Sequence, residues 1–216
     1  MRIVFTVALL FVSKFIFSQR KLEFEKIKQQ IKTNELSIYI FCRGTKSKSA
    51  LIAHEFNYSD TNITHIGIGL INKNGFTIYN VSDIPSKTNS AFRVDSLESF
   101  LNSNDVYYFS IWEYKSTKLE IKDLINFCNS FKSKKIIFDN SFLLTNGDTL
   151  YCSEFCANVL KKINNKKFEL NSNRIRLNNA LYEAVLQRAI FDFFPVDFFE
   201  KTQFFKKIYA TKINSL

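Results

Sequence analysis

Thr149-Leu-Tyr-Cys-Ser-Glu-Phe-Cys-Ala-Asn-Val-Leu160 joins a short extended entry to an apolar stripe at helical spacing, Cys152, Phe155, Cys156, Val159 and Ile163. With Asp148 or Thr149 as N-cap, Cys152 falls in the first turn of a helix predicted to end near Asn164-Asn165. Unsatisfied N–H groups and the positive end of the helix dipole favour a thiolate there, so the thiol is a candidate nucleophile. The same stripe also supports a plainer reading, in which Cys152 is a small apolar core residue.

A partner for that thiol has to come from elsewhere in the chain. Ile63-Thr-His-Ile-Gly-Ile-Gly-Leu-Ile71 alternates as a strand does, placing Thr64, Ile66, Ile68 and Leu70 on one face and Ile63, His65, Gly67 and Gly69 on the other. The two glycines leave room for something to approach His65 closely. Asn72-Lys-Asn-Gly75 then turns the chain, and Phe76 to Val81 returns as a second strand. Pairing Ile71 with Phe76 sets His65 opposite Ser82 and diagonal to Asn80 on one face.

Cys152, His65 and Asn80 are therefore the candidate nucleophile, base and orienting group. A competing arrangement uses Cys152, Cys156, His65 and His54 as a tetrahedral zinc site in a structural protein. His54 lies in a separate polar-flanked segment and Cys156 one turn deeper on the stripe, which counts against it, and the reading takes no metal and no cofactor.

The rest of the chain reads as one α+β domain without repeat or linker. Residues 20–33 suggest a loosely packed surface helix, Leu36 to Cys42 a strand, Arg43-Gly-Thr-Lys46 a polar turn, and Leu51 to Phe56 a short helix. Asp95-Ser-Leu-Glu98 and Thr117-Lys-Leu-Glu120 match the capping pattern, predicting helices from about 96 and 118 with a strand, Val106 to Trp112, between them. Lys135 to Asp139 is extended, Asn146-Gly-Asp148 a turn, and Leu177 to Ile190 a helix, followed by an aromatic run broken at Pro195 and a basic amphipathic tail. Cys128 shares a helical stripe with Ile121, Leu124 and Ile125, which makes it a core thiol.

Residues 1–18 read as a secretory signal, with Arg2, an apolar run Ile3 to Val12 and Phe17-Ser18 at its end, leaving 19–216 as the folded domain. The alternative is a retained N-terminal anchor, and either implies export to the periplasm, envelope or medium. Loss of Arg2 and Lys14 lowers the formal charge from +10 to +8. The lysines are scattered, and no arginine-rich tract or aromatic RNA-binding signature occurs, so nucleic acid is not an expected partner. Peripheral envelope association and a monomeric state are expected.

Thr64-His-Ile-Gly-Ile68, Ile137-Phe-Asp139, Tyr151-Cys-Ser-Glu-Phe155 and the later Phe194-Pro-Val-Asp197 together resemble the permuted papain-like amidases of the YiiX/YaeF type, related to the NlpC class of cysteine peptidases. The similarity spans roughly Leu36 to Phe199. The resemblance implies an antiparallel sheet packed against the helix that carries the nucleophile. It assigns Cys152 as nucleophile, His65 as general base, the polar residue of the next strand as orienter and Tyr151 as a lining residue. Histidine preceding cysteine in the chain is what permutation produces, since such a site is defined by geometry. Relatives often carry a carboxylate where this chain has Asn80, and open the first strand with Gly-Asp where it has Asn34-Glu35. The expected activity is hydrolysis of wall-peptide amides or of lipid-type amides and esters through a Cys152 thioester. The alternative is a catalytically weak module of the same fold that binds wall or lipid fragments.

Overall fold

The computed structural model describes residues 24–31, 34–73, 75–83, 89–102, 105–144 and 147–213. The expected export segment, 1–18, lies outside the described residues, as does residue 146 of the expected turn. In chain order the elements are helix α1 (24–30), strand β1 (Ser37–Thr45), α2 (Lys48–Phe56), β2 (His65–Asn72), β3 (Gly75–Val81), β4 (Phe92–Asp95), α3 (Leu97–Phe100) and β5 (Val106–Lys115). There follow α4 (Lys118–Asn129), β6 (Ile137–Phe138), β7 (Thr149–Leu150), α5 (Cys152–Ile163), β8 (Asn173–Arg176), α6 (Ala180–Leu186), β9 (Ile190–Phe193), a 3-10 turn (Phe198–Lys201) and β10 (Phe205–Lys212).

Six strands form one antiparallel sheet in the order β10-β5-β1-β2-β3-β4. Strand parity divides its side chains between two cores. Ile38, Ile40, Cys42, Ile66 and Ile68 pack with Leu124 and Cys128 of α4 and Phe155, Cys156 and Val159 of α5. Tyr39, Phe41, Phe109 and Ile111 pack on the opposite face with Ile27, Ile31, Leu97 and Phe100. The fold is therefore mixed α+β, with α5 against β2 and β3 and helices on both faces of the sheet. Among the described residues no helix is long and apolar enough to cross a membrane.

The hairpin register is as expected, with Ile71 opposite Phe76. The capping box at Thr117 is also present: its hydroxyl accepts from the Glu120 N–H at 3.2 Å, and Glu120 accepts from the Thr117 N–H at 2.8 Å. Other expectations need correction. Arg43-Gly-Thr45 is not a turn but the end of β1, because β2 and β5 flank that strand and their ladders carry these polar residues into the sheet. Asp95 ends β4 and caps nothing, since Ser96 accepts from the Ser99 N–H and takes the capping role. Residues 24–31 pack more tightly than a surface helix, with Ile27 and Ile31 buried. The helix expected over Leu177 to Ile190 covers only α6, because Gln187 turns left-handed (φ 52°) and Ile190 is needed to pair with Arg176. The basic tail is an edge strand, β10.

Candidate active site

Helix α5 starts later than the cap residues suggest, for a reason that matters to the thiol. Ile137 and Phe138 pair in parallel with Thr149 and Leu150, which keeps those two extended. Tyr151 becomes the N-cap, with no side-chain capping bond, and Cys152 is the first helical residue. The backbone N–H groups of Ile66 and Ser153 point at its sulfur. The β2–β3 ladder begins only at Ile68 opposite Tyr79, so β3 does not compete for the backbone at Ile66.

His65, at the start of β2, is buried and stands beside Phe100 at 5.6 Å between ring centroids. Its Nε2 is 3.1 Å from Asn80 Oδ1. The diagonal placement inferred from strand parity is therefore realised as a hydrogen bond, with Nε2–H donating to the amide oxygen. Asn80 in turn donates Nδ2–H to Asp95 Oδ2 at 2.9 Å, and Asp95 accepts from Ser99 Oγ at 2.7 Å and pairs with Arg93 at 3.2 Å. A carboxylate thus stands one step behind the amide. Asp95 was hidden by its match to a capping motif; its diagonal position to Asn80 follows only from the β3–β4 register, Ile78 opposite Asp95.

The room left by Gly67 is filled by the neighbouring strand. A Cβ there would lie 2.7 Å from Ile78 Cγ2 and 3.1 Å from Asn80 Cβ, so the glycine is what lets Asn80 come close enough to hold the imidazole.

Cys152, His65 and Tyr151 line one cavity of about 340 Å³ at the end of the sheet where β1 finishes and β2 begins. Among the described residues no hydrogen bond joins Cys152 to His65; with Nε2 held by Asn80, the ring nitrogen left for the thiol is Nδ1. Tyr151 accepts from the Phe194 N–H at 2.9 Å through its hydroxyl, while Ser153 Oγ donates to the Phe194 carbonyl at 2.6 Å. These two bonds fasten the aromatic segment over the start of α5. Glu154 is buried in the same first turn.

Electrostatics correct one expectation. Burial pushes the Cys152 thiol up to about 11, outweighing the N–H groups of Ile66 and Ser153 and the Arg43 charge that favour the thiolate. Burial likewise holds His65 well below its ordinary value, helped by the charges of Arg43 and Arg93 and opposed by the Asn80 bond. The resting pair is a neutral thiol and a neutral imidazole; the helix end alone does not ionise the cysteine.

By sequence, the chain matches no family model and no curated protein. By fold, it is similar to a solved structure described as the metalloprotein YiiX from Escherichia coli O157:H7, a domain of unknown function. The TM-score is 0.59 at 11% identity, covering 84% of this chain and 98% of that one. A YiiX-like fold is what this likeness supports.

The word metalloprotein belongs to that neighbour, and the donors here do not fit such a centre. Among the described residues no three His, Cys, Asp or Glu side chains gather as metal ligands. Cys156 is wholly buried in the apolar cluster, and His54 Nε2 lies 3.3 Å from the Tyr107 hydroxyl. The zinc arrangement of Cys152, Cys156, His54 and His65 is accordingly not assembled. Cys42, Cys128, Cys152 and Cys156 are all free and buried thiols.

Proposed function

We propose that this chain is a cysteine hydrolase of the permuted papain-like type, cleaving amide or ester bonds through a Cys152 thioester. The observation that carries the reading is the convergence on one cavity of Cys152, first residue of α5, and His65, whose Nε2 is fixed by the Asn80–Asp95 pair. As Cys152 Sγ bonds to the substrate's acyl carbon, its proton passes to His65 Nδ1. Collapse of the tetrahedral intermediate breaks the acyl bond, and His65 returns the proton to the leaving amine or alkoxide. Water then attacks the thioester with His65 as base, releasing the acid and restoring the thiol. With the Ser153 N–H directed at the sulfur, the N–H of Cys152, to which Tyr151 offers no side-chain acceptor, is left for the developing oxyanion. Asn80 orients the imidazole, and Asp95 polarises Asn80 without touching the ring.

Export with removal of residues 1–18, and a substrate drawn from wall peptides or lipid-type amides and esters, belong to the same proposal. A second reading, a binding module of the same fold, is favoured by the raised Cys152 thiol and the missing Cys152–His65 bond. Turnover of 4-nitrophenyl octanoate with mass spectrometry of the trapped protein separates the two. An octanoyl adduct on Cys152, with turnover reduced about 100-fold or more in His65→Ala, is the expected result. Turnover unchanged in Cys152→Ser, or no adduct at all, leaves the binding module.

A further inference from the structure

Arg43 is a buried cation with no carboxylate bound to it. It is 6% exposed. Its Nη1–H donates to the Phe100 carbonyl, and its guanidinium carbon stands 4.9 Å over the Phe100 ring, yet its Nε is buried without a hydrogen-bond partner. Among the described residues no acidic side chain forms an ion pair with it. The charges of Asp95 and Asp105 favour the guanidinium without reaching ion-pair distance, and a buried N–H donor left without an acceptor is costly, which makes the open Nε a feature to be explained.

Position supplies the explanation. Arg43 is opposite His65 in the β1–β2 ladder and lines the same cavity as His65 and Cys152. Much of the remaining wall is apolar and aromatic, with Phe56, Phe142, Phe191 and Phe194 among it, and the carboxylates of Asp83 and Asp105 also line the cavity. The aromatic part of the lining suits a hydrocarbon, and the open Nε of Arg43, next to the reacting pair, suits an anionic oxygen group. A guanidinium recognises carboxylate and phosphate oxygens through paired N–H donors, and does so most strongly where water is excluded.

We propose that the ligand of this site is an anionic amphiphile: an acyl or alkyl chain in the aromatic pocket, with a carboxylate or phosphate on Arg43 beside the bond to be cleaved. This names the substrate class of the hydrolase proposed above and rests on that reading for the cleavage, though not for the binding. Arg43 is a specificity residue on this account. It holds the substrate's charge in a fixed place relative to Cys152.

Calorimetric titration on the Cys152→Ala chain tests the binding without any dependence on chemistry. Octanoate and octyl phosphate are compared with 1-octanol and methyl octanoate. Octanoate or octyl phosphate is expected to bind at least about tenfold more tightly than the neutral pair, the better of the two telling a carboxylate from a phosphate ligand. Arg43→Gln is expected to erase the preference while leaving 1-octanol binding unchanged, and Arg43→Lys to keep part of it. Equal affinity for charged and neutral ligands overturns the proposal on the Cys152→Ala chain alone, so a misfolded Arg43 variant does not protect it. Retention of the preference in Arg43→Gln overturns it too. Selective binding by a chain that shows no hydrolysis of octanoyl esters would sink the hydrolase and leave the anion site standing.

Discussion

At His65 the folded chain opposes a proton that the unfolded chain accepts. Burial is the largest cause, and the cations Arg43 and Arg93 add to it. Below about pH 6.5 the unfolded state therefore binds more protons at this residue than the folded one, and linkage makes stability fall as pH falls through that range. The slope from one such group is at most about 1.4 kcal/mol per pH unit. Urea unfolding at pH 7.5, 6.5 and 5.5 is expected to show wild type losing more stability on acidification than His65→Gln. Equal slopes would mean that the imidazole is protonated readily in the fold. The same neutrality explains how the site is to work: a base has to be unprotonated at rest, and His65 is, whereas the thiol at about 11 cannot ionise without it.

The strand carrying His65 shows how an element sets that geometry. Gly67 faces Asn80 and Ile78 of β3 so closely that any side chain displaces the strand that orients the imidazole. Gly67→Ala is expected to cost about 1–3 kcal/mol from overpacking and to lower activity further than its stability loss explains. Ile68→Val, on the opposite face in the α5-side core, is expected to cost about 0.5–1.5 kcal/mol and leave activity intact. If both variants lost activity in proportion to stability, the link from Gly67 to the site would be wrong. This strand was legible because parity and one turn determine which residues share a face; Ile71 opposite Phe76 brought Asn80 to His65 without further information. Thr117 and Glu120 were legible for a similar reason, their contacts being local. Arg43 and Asp95 were not. Each obeys a local pattern, turn or cap, that is overridden by pairing with strands distant in sequence, Phe109 for Arg43 and Ile78 for Asp95. The residues that surround the reacting pair thus came from long-range registers that local spacing does not encode.

Across the whole molecule, the cavity depends on holding the C-terminal aromatic segment against elements formed much earlier in the chain. Asp197, wholly buried, does this from the Phe194-Pro-Val-Asp segment: its carboxylate accepts from the N–H groups of Tyr58 at 2.9 Å, Ser59 at 2.7 Å and Asp60 at 3.1 Å. Asn57 Oδ1 adds a bond from the Val196 N–H at 3.1 Å, while Tyr151 and Ser153 grip Phe194 from the other side. The segment is thereby tied both to the loop after α2 and to the start of α5, and the pocket lies between those attachments. Removing the carboxylate in Asp197→Ala leaves three N–H donors without their acceptor in a water-poor place, a loss expected to exceed about 2 kcal/mol. Asp197→Asn keeps one acceptor oxygen and should lose less. Because the ties also set the cavity wall, octanoate affinity in Asp197→Ala is expected to drop at temperatures where the chain is still folded by circular dichroism. Unaltered affinity in that folded variant would show that the pocket does not depend on this anchor and that Tyr151, Ser153 and Asn57 suffice to hold the segment.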